Sequence, residues 1–269
     1  MRVMNTQDVI DALSVPVSAR VEQRVPKKLF IENGAPTAAD KRLLTDAVQE
    51  IQWVAALKPT TIGVPEYRDP VREYLEITVL SITLRGTIKI AGKSRLAELV
   101  HRAVPYPLLL LMVDGQTLML SVAHKRWAQN EAGKVVLDDA VTSVSLLAEE
   151  SGSVTDQKLA DTAEIEAAFI ESMAVSRQPQ TNLHELYQGW IDRLLTLTAA
   201  RLTGSYRIPL SREQAVARRQ ALLDCERISA EINRLQKQAA KEKQLSRQVE
   251  LNLTIKCIRA ELFAAQQQL

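Results

Sequence analysis

Residues 210–269 read LSREQAVARRQALLDCERISAEINRLQKQAAKEKQLSRQVELNLTIKCIRAELFAAQQQL, sixty residues without a glycine or a proline. Leu222, Cys225, Ile228, Ile232, Leu235 and Ala239 recur in steps of three and four, and Leu251, Ile255, Ile258 and Leu262 form a second stripe. Such stripes are helix seams that another helix covers. Carried onward in frame, the first heptad would put Glu242, Ser246 and Lys256 on the seam, so the second stripe starts a new frame. Either one long helix stutters there or the chain reverses near residues 240–246. A hairpin over 211–241 and 246–266 is favoured because a self-covering seam needs no partner, although the turn lacks Gly and Pro. In it, Ile228, Ile232, Leu235, Leu251, Ile255 and Ile258 face one another, and they are also the candidate partner-binding residues.

Upstream the pattern changes to mixed α/β. A helix opens at Thr37, with Asp40 as its capping-box acid, and its apolar positions continue to Ala55 before Pro59 ends it. Thr60–Val64 is a short strand candidate, and Glu73–Leu84 alternates as a half-buried strand. Ser94–Ala103 is an amphipathic helix. Leu108–Val113, Asp114-Gly115 and Thr117–Val122 make the strongest hairpin signal, since Asp-Gly suits the positive φ of a tight turn. Val135–Leu137 adds a strand, and Asn182–Leu202 is a helix ended by Gly204. The order predicts an α/β (α+β) domain with a mixed sheet over residues 1–140, an acidic linker and helix over 141–206, and a helical hairpin arm over 207–269. Two-layer packing is expected, because crossover helices are few.

Composition narrows the chemistry. Two cysteines, Cys225 and Cys257, with no CxxC or Cys/His cluster, fit a reducing compartment and no structural zinc. The N-terminus does not read as a signal peptide, and the longest apolar run, Leu108–Val113, is too short to span a membrane, so no leader and a cytoplasmic protein are expected. With no Walker loop and no GxGxxG, nucleotide hydrolysis is not expected, and no cofactor or metal is indicated. Residues 136–176 carry nine acids against one Lys, whereas 207–269 carry 12 basic residues against seven acids. That asymmetry makes basic patches that can meet a polyanion. Lys27, Lys28, Lys125 and Arg126 are expected to share one basic surface able to contact DNA phosphates or another anion, with His101-Arg102 near it.

One catalytic alternative is a metal-dependent nuclease of the PD-(D/E)xK type. Asp69 or Glu73 would supply the first acid, and Glu76-Ile77-Thr78 stands where Glu-x-Lys is required. The lysine is missing, so Glu76 is read as pointing from the solvent face of the sheet.

Arg24-Val25-Pro26-Lys27-Lys28-Leu29-Phe30, Ala38–Leu44, Ile51-Gln52-Trp53, Leu57-Lys58-Pro59, Arg72–Ile77, Val104–Pro107, Leu120–Arg126, Leu202–Tyr206, Lys241–Gln244 and Val249–Asn252, in this order, resemble a bacterial family, domain of unknown function 4391. The resemblance spans nearly the whole chain. It implies a setting beside helicases and DNA methyltransferases, in loci like restriction or antiphage defence islands, and it carries no catalytic residue. The expectation is a non-catalytic accessory subunit with a helicase or DNA methyltransferase as partner.

Overall fold

A computed structural model describes residues 6–115, 117–131, 133–147 and 156–269. The expected acidic linker therefore lies partly outside the described residues. The chain forms two compact units, residues 1–194 and 195–269.

The first unit opens with α1 (Thr6–Ala12), β1 (Arg20–Arg24), α2 (Lys27–Gly34) and α3 (Ala38–Ala47). β2 (Val48–Leu57), α4 (Pro59–Ile62), β3 (Tyr67–Arg68), β4 (Glu73–Tyr74) and β5 (Ile77–Leu84) follow. Next come α5 (Ile90–Ala103), β6 (Leu108–Val113), β7 (Thr117–Val122), β8 (Lys125–Trp127), β9 (Val135–Leu137) and β10 (Thr142–Leu147). α6 (Asp156–Ser172) and α7 (Leu183–Thr203) complete the sequence up to the tail.

Six strands form one mixed sheet in the order β1-β2-β5-β6-β7-β10, and only β5 and β6 pair in parallel, joined by α5. β10 places residues 142–147 in the sheet, so the α/β body runs past residue 140. Leu80, Ile82, Leu108, Leu110 and Met112 share a core with Phe30, Leu44, Leu96, Leu99 and Val100 from the helices α2, α3 and α5. Ile77, Val79, Leu109 and Leu111, which alternate to the opposite face, are buried as well. Both faces are therefore covered, as a parallel central pair requires, and the two-layer expectation is corrected.

The helix from Thr37 is shorter than its apolar pattern suggested. Thr37 Oγ1 caps it by accepting from the Asp40 amide at 3.1 Å, but α3 ends at Ala47 and the chain becomes β2. β2 slips register twice against β5, between Val48 and Glu50 and between Trp53 and Ala55. Bulges of this kind break strict alternation, and Val48, Ile51 and Val54 are left at a spacing that imitates a helix. The strand expected at Thr60–Val64 is instead the single turn α4, started by Pro59 and closed by Gly63 at φ 74°. The β6–β7 hairpin forms as expected: Asp114 Oδ1 accepts from the Thr117 amide at 3.0 Å, and Gly115 sits at φ 86°. At the sheet's edge β1 also slips register between Arg20 and Gln23, with Glu22 at φ 51°, a left-handed conformation uncommon for a side-chain-bearing residue.

The second unit contains the hairpin, α8 (Arg212–Lys241) and α9 (Leu245–Gln266). Ile228, Ile232, Leu235 and Ile255 are buried together, with Leu251, Ile258 and Leu262 packed against them. Its tight turn needs no glycine because Glu242 organises it. The Glu242 carboxylate accepts from the Lys243 and Gln244 amides at 2.8 and 2.9 Å, next to the start of α9. No described helix is long and apolar enough to cross a membrane.

Candidate functional site

The three acids of the nuclease alternative are separately engaged. Asp69 accepts from the Val71 and Arg72 amides, each at 2.7 Å, and from the Tyr67 hydroxyl at 2.8 Å. Glu73 pairs with Arg68 at 3.2 Å. Glu76 is buried, correcting its expected solvent-facing position; it pairs with Lys58 at 3.2 Å and accepts from Thr78 Oγ1 at 3.3 Å. Among the described residues no three His, Cys, Asp or Glu side chains are grouped to hold a metal ion.

The four candidate cations do not share one outward surface. Lys28 is exposed and pairs with Glu32 at 3.6 Å. The Lys27 ammonium donates to the Val48 carbonyl, and partial burial, with Arg85 and Arg24 nearby, lowers its pKa. Arg126 pairs with Asp138 at 3.1 Å. Lys125 is turned inward, only 3% exposed. Its ammonium donates to the His101 carbonyl at 2.7 Å and to the Val104 carbonyl, covering the C-terminal end of α5. Burial pulls its pKa down to about 7.

Beside Lys125 lies a cleft of about 420 Å³ between the end of α2, the last turn of α5 and β9. It opens where α2 crosses α5 at Gly34, where a Cβ would meet the Leu99 carbonyl oxygen at 2.5 Å. His101, fully buried, also lines it. His101 Nε2 is 3.1 Å from Ser121 Oγ, while its Nδ1 has no partner among the described residues. Desolvation, with Lys125 adding repulsion, holds the imidazole neutral, its pKa down to about 3. A second, mostly apolar hollow of about 260 Å³ is lined by Phe30, Trp53 and Tyr106.

Sequence reading missed an aromatic cluster. His124 and His184 stack with centroids 5.1 Å apart, Tyr67 stacks on His184 at 4.9 Å, and Tyr74 meets His184 edge-on at 5.0 Å. Arg72 donates to His184 Nε2 at 3.3 Å and pairs with Asp138 at 3.0 Å. A guanidinium only donates, so that nitrogen of His184 carries a lone pair and the ring is neutral. Tyr74 Oη lies 2.5 Å from His124 Nδ1, and His124 Nε2 lies 2.8 Å from Gln188 Oε1, whose amide nitrogen donates to Asp192 at 2.8 Å. His184 Nδ1 lies 3.4 Å from Glu185 Oε1, so both nitrogens of each of these two imidazoles are engaged, and the cluster joins the β3–β4 hairpin, the chain before β8 and α7 as a packing lock. These residues lie at no motif spacing, so only the fold brings them together.

α9 carries a second apolar stripe. Val249, Leu253 and Phe263 are exposed, Leu253 by 59% and Phe263 by 64%, and exposed Cys257 lies along the same side. At about 100° per residue this stripe falls about 180° around the helix from Leu251, Ile255, Ile258 and Leu262. One face of α9 meets α8, and the other faces outward.

The fold and sites define a mixed α/β protein followed in sequence by a two-helix hairpin with an exposed apolar stripe. The chain belongs to the family described as Domain of unknown function (DUF4391), whose model matches residues 13–262. No curated protein and no solved structure matches the chain.

Proposed function

We propose that the chain is a non-catalytic interaction subunit of a bacterial, cytoplasmic helicase–methyltransferase defence system, and that it docks an amphipathic helix of the helicase or methyltransferase on the outer face of α9. The observation that carries the reading is the double-sided α9: its inner stripe is used by α8, and Val249, Leu253 and Phe263 continue at helical spacing on the outside. An exposed stripe at that spacing is complementary to another helix. The exposed cations Lys237, Lys241, Lys243 and Arg247 near the turn add attraction for an acidic partner or DNA.

The test is co-expression of the full-length chain with the neighbouring helicase and methyltransferase, comparing wild type with the double substitution Val249→Asp, Leu253→Asp. The changes lie on solvent, so helicity should be kept while partner capture falls at least ten-fold. Equal capture by both proteins overturns the reading. So does self-association of the wild type through this face in place of partner capture.

A further inference from the structure

The cleft beside Lys125 combines three features with one chemical complement. First, the Lys125 ammonium is buried and has carbonyl partners only; among the described residues no carboxylate pairs with it. A buried cation with no counter-charge is costly unless an anion neutralises it. Second, His101 Nδ1 is fully buried and unpartnered, and because Nε2 is directed to Ser121, Nδ1 is the polar atom the ring has left to offer the cleft. Third, the other charged groups at the cleft are already balanced. Arg102 pairs with Glu98 at 2.6 Å, Lys134 with Glu131 at 2.6 Å, and Glu32 with Lys28 at 3.6 Å. One unit of positive charge remains, on Lys125. Pro36, Val135 and Leu137 make part of the wall apolar.

We propose that this cleft is a binding site for a small organic carboxylate, its anionic end accepting from the Lys125 ammonium and from His101 Nδ1–H, in the tautomer whose Nε2 accepts from Ser121 Oγ, and its short apolar body against Val135 and Leu137. The charge count selects a monoanion, and the volume of about 420 Å³ holds a ligand of one ring or a short chain. Gly34 belongs to the site as a spacer, since a side chain there would force α2 and α5 apart. The site is independent of the outer face of α9.

The experiment is calorimetric titration of the full-length chain at about pH 6, where Lys125 is charged, and at constant ionic strength with benzoate, and with benzamide as its neutral isostere. Wild type should bind benzoate at least ten-fold more tightly than benzamide, because a charge-assisted contact is lost with the carboxylate. Lys125→Met, which keeps the side chain's length and removes its charge, should weaken benzoate binding about ten-fold or more. The His101 imidazole ¹⁵N resonance of the wild type gives a readout that needs no variant: it should shift on adding benzoate and stay still with benzamide. Equal affinity for both compounds, unchanged benzoate affinity in Lys125→Met, or an unmoved His101 resonance at saturating benzoate each overturns the assignment.

Discussion

Nδ1 of His124 lies 2.5 Å from the Tyr74 hydroxyl, which donates to it because the ring's other nitrogen faces the oxygen of Gln188, an acceptor only. With Nδ1 accepting, Nε2 carries the proton and donates to Gln188. Removing the donor by Tyr74→Phe leaves a buried lone pair unsatisfied. The variant should lose about 1–3 kcal/mol in denaturant unfolding. A loss under about 0.5 kcal/mol would show that the contact does not hold the cluster.

Acid should unfold the protein partly through its buried histidines. Burial holds His124 at about 4 and His101 at about 3, both below the ordinary 6.5. Between these values the unfolded chain binds protons that the folded chain refuses. Stability is thus full above pH 6.5 and falls as pH drops towards 4, by about 1.4 kcal/mol per pH unit for each such site. His124→Leu should reduce the slope by about one proton. Identical slopes in the two proteins would contradict a neutral, buried His124.

Lys125 acts in the opposite pH range. Its folded pKa, about 7, lies below the ordinary lysine value of 10.5. From 7 to 10.5 the unfolded chain keeps the proton and the folded chain does not, so the cost of the buried charge is whole below pH 7 and is relieved as pH rises. Lys125→Met should match or exceed wild-type stability at pH 6 and abolish the rise above pH 7. A parallel rise in both proteins would place its cause elsewhere.

Gly34→Ala tests the α2–α5 crossing. The added Cβ would lie 2.5 Å from the Leu99 carbonyl oxygen and 2.8 Å from Ala103 Cβ, neither of them the end of a flexible chain. A cost of about 1–3 kcal/mol is expected from thermal unfolding. Full stability in the variant would mean that the helices can part freely.

In the hairpin, Ile232→Asp buries a carboxylate in the seam with Ile228, Leu235 and Ile255. The α8–α9 pair should melt, and limited proteolysis should trim the variant near Gly204–Leu210 while the sheet domain survives. Wild-type resistance to trimming would remove Ile232 from the seam.

The hairpin was the most legible part of the fold, because a seam in steps of three and four is written directly in sequence, and its expected helix ends differ from the observed ones by a residue. β2 was hidden for a physical reason: two bulges turned a strand's period into an apparent helical one at Val48, Ile51 and Val54. β8 and β10 are short or polar enough to read as loop. The candidate sites were less legible still. Lys125 looked like a surface cation because nothing local announces that the end of α5 sits above it. Tyr74, His124 and His184 meet only after the chain has folded across more than a hundred residues.

The left-handed kink at Glu22 governs what happens when many copies of the chain are crowded together. A free sheet edge recruits another strand when its amides and carbonyls form a regular row. Here the slip between Arg20 and Gln23 breaks the row, and Arg20, Glu22 and Arg24 would bring charge to any strand laid alongside. Among the described residues the sheet ends at β1 on that side, and a charged, irregular rim of this kind disfavours the addition of a further strand.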